Sequence, residues 1–564
     1  MKMNFSRAAL VVVLVFVSGT SAVPAGDPPR FHFETSRAGD LPFRNSSGGD
    51  DQLAIVEQNG QGICTLDFDG DGWMDLYFVN GSTLEGWKAG NNPGGRLFRN
   101  SGHRTFIDVT GRAGVPGPSW GTGCASADYD GDGRPDLFVA GWQGSKLFRN
   151  LGGGRFEDVT VAAGIDVPGW ASCGAFADFD GDGRLDLAVS RYVDFDFENI
   201  PAHGPKGEAC TYRGVMTGCE PLAHPPLSTM LFRQKSGGRF EDVSVSSGLA
   251  AVPTRGFGVA ALPLFQNSRL PDLYVACDQM ENRLFRNRSK SGEVRFEEVA
   301  GEMGAALSFE GKPESGMGLS AGDVWEEGRP DLFTTNFAGE KNTLYRNLGD
   351  RYEDRSIGTG LESHRSELGW GNALVDLDGD SHLDAIVANG QIYPQVEQLH
   401  DPDDSYAQPI RIFSGDGRGG FTEVESSALT ERRSRRALIA VDLDNDGRLD
   451  IVTQTHRSEP QIFWNHGGGG NHWIRFRLRG TAPRDPMAAR VTIRLPDGSR
   501  RTSWHLPNQG YQSSQDPRVV FGLGSFREIL SMTIDWPDGR SETRGRMRAD
   551  RDYSITERKE KSGR

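Results

Sequence analysis

At 564 residues, with 74 Gly and 29 Pro, the chain is too long for one hydrophobic core and too rich in turn formers to be mainly helical. Lys and Arg total 62 against 77 Asp and Glu, a formal charge of −15, which disfavours nucleic acid as a partner. Residues 1–22 read as a secretory signal peptide: Lys2 and Arg7, the apolar run AALVVVLVFV, then small residues before an expected cut after Ala22. That run is short for a membrane span and no other stretch approaches one, so a secreted or periplasmic product without a membrane span is expected.

From residue 30 to 466 the chain repeats. Asp-rich loops stand at 67–75, 128–136, 178–186, 376–384 and 442–450, with eroded versions at 264–272 and 323–331. A second marker, LFRN and its variants, starts at 97, 147, 231, 284, 344, 412 and 462. A third, FEDVT and its variants, starts at 33, 106, 156, 240, 296, 352 and 421. Each marker occurs seven times, and the segments between them are short, rich in Val, Phe, Leu and Tyr, and bounded by Gly and Asn. Four such strands per unit predict an all-β, seven-bladed β-propeller. FETS at 33–36 precedes the first Asp loop, whereas its counterparts follow theirs, so the first strand is expected to complete the last blade and leave no open edge.

In D-x-D-x-D-G-x-x-D, carboxylates at positions one, three, five and nine can converge on one ion while the seventh carbonyl adds a ligand. The expected sets are Asp67, Asp69, Asp71, Trp73 and Asp75; Asp128, Asp130, Asp132, Arg134 and Asp136; Asp178, Asp180, Asp182, Arg184 and Asp186; Asp376, Asp378, Asp380, His382 and Asp384; and Asp442, Asp444, Asp446, Arg448 and Asp450. Oxygen-only ligands in a turn suit calcium, giving about five structural calcium sites. An EF-hand needs Glu at position twelve, where this chain has Phe78, Val139, Val189, Val387 and Thr453. The loops are therefore read as hairpin turns. Ser381 replaces the turn Gly, so 376–384 is expected to bind more weakly; Trp325 interrupts 323–331, and Asp272 alone survives in 264–272.

The insertions 80–95, 191–229 and 390–410 fall between second and third strands, opposite the Asp loops. That end is read as a ligand face for an extracellular protein or glycan, with Trp87, Tyr192, Tyr212 and Tyr393 as contacts. Trp120, Trp170, Phe257 and Trp370 are assigned to packing between blades. Cys210 and Cys219 share one insertion and are expected to bridge; Cys64, Cys124 and Cys173, in matching repeat positions, are expected as buried free thiols. The sequons at Asn45, Asn80 and Asn287 are glycan candidates in a eukaryotic host. No catalytic constellation is read: the eleven His are scattered and no His-Glu-x-x-His occurs. The alternative is a carbohydrate-active hydrolase or lyase working at the channel mouth.

After the glycine linker HGGGGN, alternating strands joined by Pro-Asp-Gly turns over 471–556 predict a small β-sandwich-like domain, and the charged tail 557–564 is expected to be disordered. The Asp loops resemble the FG-GAP repeats of integrin α-subunit propellers. AARVTIRLPDG (488–498), QGYQSSQ (509–515), VVFGLG (519–524) and IDWPDG (534–539), with CTYRGVMTGCEP (210–221), are similar to the ASPIC/UnbV family. The resemblance implies calcium binding and extracellular interaction; Ala488 departs from it, standing where the family tends to carry Gly.

Overall fold

The computed structural model describes residues 31–37, 39–201, 203–204, 207–290, 292–467, 469–481 and 485–558, so the expected signal peptide lies outside it. Seven four-stranded antiparallel sheets follow one another as propeller blades. Blade 1 runs outward through Ile63–Leu66, Asp75–Phe78, Arg96–Asn100 and Phe106–Asp108. Blades 2 to 7 begin with inner strands Gly121–Ala127, Ala171–Ala177, Gly256–Leu262, Leu319–Gly322, Gly369–Val375 and Arg435–Val441. Both faces of a blade are covered by its neighbours. Second strands such as Asp75–Phe78 are accordingly buried at every position rather than alternating. Blade 1 meets blade 2 through Leu66, Tyr77, Val79 and Leu97 against Val115, Leu137, Val139 and Phe148. No helix among the described residues is long and apolar enough to cross a membrane.

The second marker acquires a chemical meaning here. Its final Asn reaches back across the blade boundary: Asn100 Nδ2 donates to Leu443 O, Asn150 to Phe68 O, Asn287 to Phe179 O, Asn347 to Leu264 O and Asn465 to Leu377 O, all at 2.8–2.9 Å. Gln234 does the same to Tyr129 O. Each acceptor is the second residue of the preceding Asp loop, except Leu264, which opens the eroded loop 264–272. The third marker fixes the outer strand by a turn, in which Asp158 Oδ1 accepts Thr160 N and Oγ1 and Thr160 Oγ1 accepts Leu147 N.

Phe33–Thr35 completes blade 7, with Phe33 opposite Asn465 and Thr35 opposite Phe463, so the two ends of the repeat region seal the ring. Phe31 and Phe33 are buried there. Deletion of residues 30–36 opens that edge and removes two aromatic side chains, each worth about 3 kcal/mol. Its melting temperature should drop by several degrees; an unchanged melt by differential scanning calorimetry would show the closure to be dispensable.

The strands after 470 form a second layered unit. His472–Arg479 pairs antiparallel with Val519–Gly524 and parallel with Arg551–Thr556. Arg490–Arg494 lies between Arg500–Trp504 and Ser531–Asp535. Ile474, Phe476, Val491, Ile493, Leu523 and Ile534 fill the space between the two sheets. Ala488 sits at φ +65°, the left-handed conformation that explains a preference for Gly. The expected disordered tail begins ordered: Glu557 is buried and accepts Thr481 N and Oγ1, while 559–564 lie outside the described residues.

Between Arg500–Trp504 and Val519–Gly524 the chain leaves its own sheets and enters the propeller axis. Phe176 N donates to Asn508 Oδ1 (3.3 Å), Ala321 N to Gln509 Oε1 (3.0 Å), Cys124 N to Gln512 O (3.1 Å), Thr65 N to Ser514 O (3.1 Å) and Ala440 N to Gln515 Oε1 (3.0 Å). Gln515 Nε2 reaches Asn372 O in blade 6, and Tyr511 stacks near Phe257 of blade 4, so all seven blades touch this segment. Close approach requires Gly at 62, where a Cβ would overlap Gln512 O.

Candidate metal centres

Each Asp loop links an inner strand to the second strand of its blade, at the end covered by the C-terminal sheets. The ninth-position aspartate has a structural role in every blade. Asp75, Asp136, Asp186, Asp272, Asp331, Asp384 and Asp450 each accept two backbone N–H groups, one from the second loop residue or its equivalent and one from the third strand. All seven are at most 2 % exposed. The first aspartate accepts the N–H of the sixth residue: Gly72 to Asp67, Gly133 to Asp128, Gly183 to Asp178 and Gly447 to Asp442. Ser381 makes the same bond to Asp376 at 2.8 Å, but only by adopting φ +80°. The turn survives the missing glycine at the cost of backbone strain.

Four loops bring positions one, three and nine together: Asp128, Asp130 and Asp136; Asp178, Asp180 and Asp186; Asp376, Asp378 and Asp384; Asp442, Asp444 and Asp450. In the first loop the converging set is Asp67, Asp69 and Asp71. Oxygens of each set lie within 4.8 Å of one another. The expected fifth-position ligands Asp132, Asp182 and Asp446 are instead turned onto Arg134, Arg184 and Arg448, whose seventh-position side chains fold back within the same turn. Asp380 also stands outside its loop's converging set, and Asp75 outside that of the first loop. At the remaining seventh positions, Trp73 packs on Gly102, and His382 Nδ1 meets Glu326 Oε1 at 2.5 Å, which raises the imidazole's pKa.

The residues fit a hard divalent cation. The donors are carboxylate oxygens, and Asp67 Oδ1 and Asp444 Oδ1 are buried without a hydrogen-bond donor. Burial pushes Asp75 up to about 8, Asp128 to about 7, Asp178 to about 6, Asp376 to about 8 and Asp442 to about 6. A bound cation would relieve that demand. The third aspartate is held by the arginine of the second marker, Arg99 on Asp69 at 2.5 Å, Arg149 on Asp130 at 2.6 Å and Arg233 on Asp180 at 2.6 Å. Where that aspartate is missing, the arginine lies over an aromatic ring instead, Arg286 over Phe265 and Arg346 over Trp325.

The opposite end differs from its expected form. The insertions interlock with one another and with the segment before blade 1 into a cap: Gln52 Nε2 donates to Tyr406 OH, Arg213 pairs with Asp401 and Asp404 at 2.9 Å, and Gln391 Nε2 donates to Asp404. Two of the four expected ligand contacts are core residues of that cap. Tyr192 is 1 % exposed, donating to Asp278 at 2.6 Å, and Tyr393 is 5 % exposed. Trp87 and Tyr212 are half-buried, Trp87 against Trp142 and Tyr212 against Tyr393 and Phe337. Aromatic residues from successive insertions hide one another, which leaves less of them for a ligand. Trp120, Trp170, Phe257 and Trp370 lie in the same buried cluster, as expected for packing residues.

Cys210 and Cys219 are bridged as expected. Cys64 and Cys124 are also bridged, contrary to expectation: matching positions on neighbouring inner strands face each other near the axis, with Cα atoms 6.0 Å apart. Cys173 and Cys277 are buried free thiols, each pushed up to about 12 by burial. The sequon side chains serve packing: Asn45 and Asn80 are 3 % exposed, and Asn287 Nδ2 donates to Phe179 O and Pro271 O. Two Gly-x-Ser-x-Gly strings occur, at 117–121 and 318–322, a pattern associated with hydrolase nucleophiles. Ser119 is exposed before an inner strand and Ser320 is buried within one, and neither bonds a histidine or carboxylate among the described residues.

Two family models match parts of this chain. Residues 480–562 match the ASPIC and UnbV family, and 67–139 and 128–189 match the FG-GAP-like repeat. Cartilage acidic protein 1 of Xenopus tropicalis is 22 % identical over 508 residues, 86 % of this chain and 62 % of that protein. Its Homo sapiens counterpart is 23 % identical over 328 residues, 49 % of this chain and 47 % of that protein. The chain therefore spans less than two thirds of the length of these curated relatives. Among solved structures, an Agrocybe aegerita protein recognising non-reducing terminal N-acetylglucosamine superposes over 74 % of this chain and 89 % of its own, at 15 % identity and a TM-score of 0.39. The rhamnogalacturonan lyase YesW covers 75 % of this chain and 91 % of its own, at 11 % identity and a TM-score of 0.29.

Proposed function

We propose that this chain is an exported calcium-binding propeller that serves as a binding or scaffold module for extracellular protein or glycan partners. The observation that carries the calcium reading is the recurrence in five loops of converging, oxygen-only aspartate triads, four of them built from positions one, three and nine. Export is supported by two disulfides and by relatives named cartilage acidic protein. Binding is favoured over turnover because residues 508–515 fill the axis and the insertions cap the other end, so the channel mouth where a hydrolase or lyase would work is covered.

Isothermal titration of chelated protein should show saturable calcium uptake at several sites per chain, together with a rise in melting temperature. Absence of uptake would refute the metal reading. Retention on a glycan array or by envelope proteins, without release of reducing or unsaturated ends from polysaccharide, is the expected partner result. Release of such ends would replace the module with an enzyme.

A further inference from the structure

The strand His472–Arg479 alternates strictly. Ile474, Phe476 and Leu478 turn into the C-terminal core, so Arg475 and Arg477 emerge on the other face. That face meets the Asp loops of blades 1 and 7. Arg477 Nη1 lies 2.8 Å from Asp67 Oδ2. Arg475 Nη1 contacts Asp442 Oδ2, with both side chains at most 1 % exposed. In the other three complete loops the first aspartate accepts only backbone N–H groups among the described residues: Asp132 and Gly133 on Asp128, Asp182 and Gly183 on Asp178, and Gly379 and Ser381 on Asp376. An arginine on the third aspartate is common to loops 67–75, 128–136 and 178–186, so the added guanidinium on the first aspartate is what sets 67–75 apart, and loop 442–450 carries three arginines. Arg518 Nη2 donates to Asp442 O at 2.6 Å, and Arg104 pairs with Asp444 at 3.1 Å.

We infer that Arg475 and Arg477 divide the five cation sites into two classes and tie the weaker class, loops 67–75 and 442–450, to the seating of the C-terminal sheets. This rests on the calcium reading above and extends it from a count of sites to a difference among them. The physical reason is that one carboxylate cannot serve two cations at full strength. Asp67 and Asp442 each give Oδ2 to a guanidinium, which leaves Oδ1 without a donor at Asp67 and shared with Asp446 N at Asp442, and the fixed positive charge repels a divalent cation bound in the same loop. Within a partly buried seam such repulsion lowers affinity by about tenfold or more. Linkage makes the effect reciprocal: whatever the arginine subtracts from cation affinity, the cation subtracts from the arginine contact. The C-terminal sheets are thus held most firmly over these two loops when calcium is scarce.

The test is calcium titration of the chelated full chain by isothermal calorimetry, with bound metal counted by mass spectrometry. Wild type should resolve three tighter sites, loop 376–384 among them because Ser381 keeps the turn bond to Asp376 despite replacing Gly, and two weaker ones. Arg477→Gln, at a side chain 35 % exposed, should tighten one weak site at least tenfold and leave the other four unchanged. Arg288→Gln, which removes a surface pair with Glu297 outside the loops, should leave all five unchanged. A single affinity class in wild type overturns the inference without touching the calcium reading, as does an Arg477→Gln titration identical to wild type. A wild-type chain that takes up no calcium overturns both. The two-class result in wild type needs no variant, so the inference stays decidable if Arg477→Gln misfolds; circular dichroism of the variant guards against a misleading gain.

Discussion

Asp272→Ala should destabilise the protein by about 4 kcal/mol, and by the same amount with calcium or with chelator. Blade 4 has lost the metal-type loop: of its aspartates only the ninth remains, and Asp272 is 0 % exposed. Were that residue a vestige of a vanished ion site, its removal would be nearly free. The geometry says otherwise, because Oδ2 accepts Leu264 N at 2.9 Å and Oδ1 accepts Asn287 N at 2.8 Å. Alanine leaves both donors buried and unpaired, at about 1–3 kcal/mol each, and opens a small void. Asp136→Ala in blade 2 breaks the same two anchors and also removes a member of a converging triad, so its loss should grow when calcium is present. Thermal unfolding of both variants in calcium and in chelator separates the two roles. An Asp272→Ala melt within a degree of wild type would remove the anchoring role.

The same comparison shows why the repeat was legible and its chemistry only partly so. Periodicity of three independent markers depends on local composition, and it predicted seven blades and the closing strand at Phe33–Thr35. The Asp loops were equally visible, because a run of carboxylates in a Gly turn has few other uses. What composition does not carry is the division of labour within a loop. The ninth aspartate recurs in metal-type and eroded loops alike, and that recurrence was a signal for a backbone role. The fifth aspartate was assigned to the ion, yet the loop's own seventh-position arginine lies closer to hand in three loops.

Long-range juxtapositions were the other limit. Cys64 and Cys124 stand 60 residues apart, and nothing local distinguishes two thiols in matching repeat positions from two that meet across a blade boundary. The insertions collect at one end of the repeat, which points their aromatic residues to a ligand face. In the fold those segments cover one another, and Tyr192 and Tyr393 become core. Arg475 and Arg477 gave a readable sign, since polar residues alternating with Ile474, Phe476 and Leu478 must face something other than the core. Which surface they face was decided only by the docking of one sheet unit on the other.

Replacing residues 508–515 with a Gly-Ser segment of equal length should lower the melting temperature of the propeller and the C-terminal sheets together, more than any single substitution in the blades. Seven inner-strand N–H groups, those of Ile63, Thr65, Cys124, Phe176, Leu319, Ala321 and Ala440, donate to this segment. Water entering the emptied axis would recover part of their loss, but it would not recover Tyr511. That ring is 0 % exposed, lies 4.9 Å from Trp370 and 5.5 Å from Phe257, and donates its hydroxyl to Asn59 O at 2.8 Å. Tyr511→Ala alone should cost about 4 kcal/mol. Because the segment binds inner strands of all blades while both its ends are anchored in the C-terminal sheets, heat should unfold the wild type in one calorimetric transition. The Gly-Ser chain should show two, the sheets after 470 melting apart from the ring. Two transitions in the wild type, or a ring truncated after 470 that melts where the intact protein does, would mean that the axis segment occupies the channel without holding it.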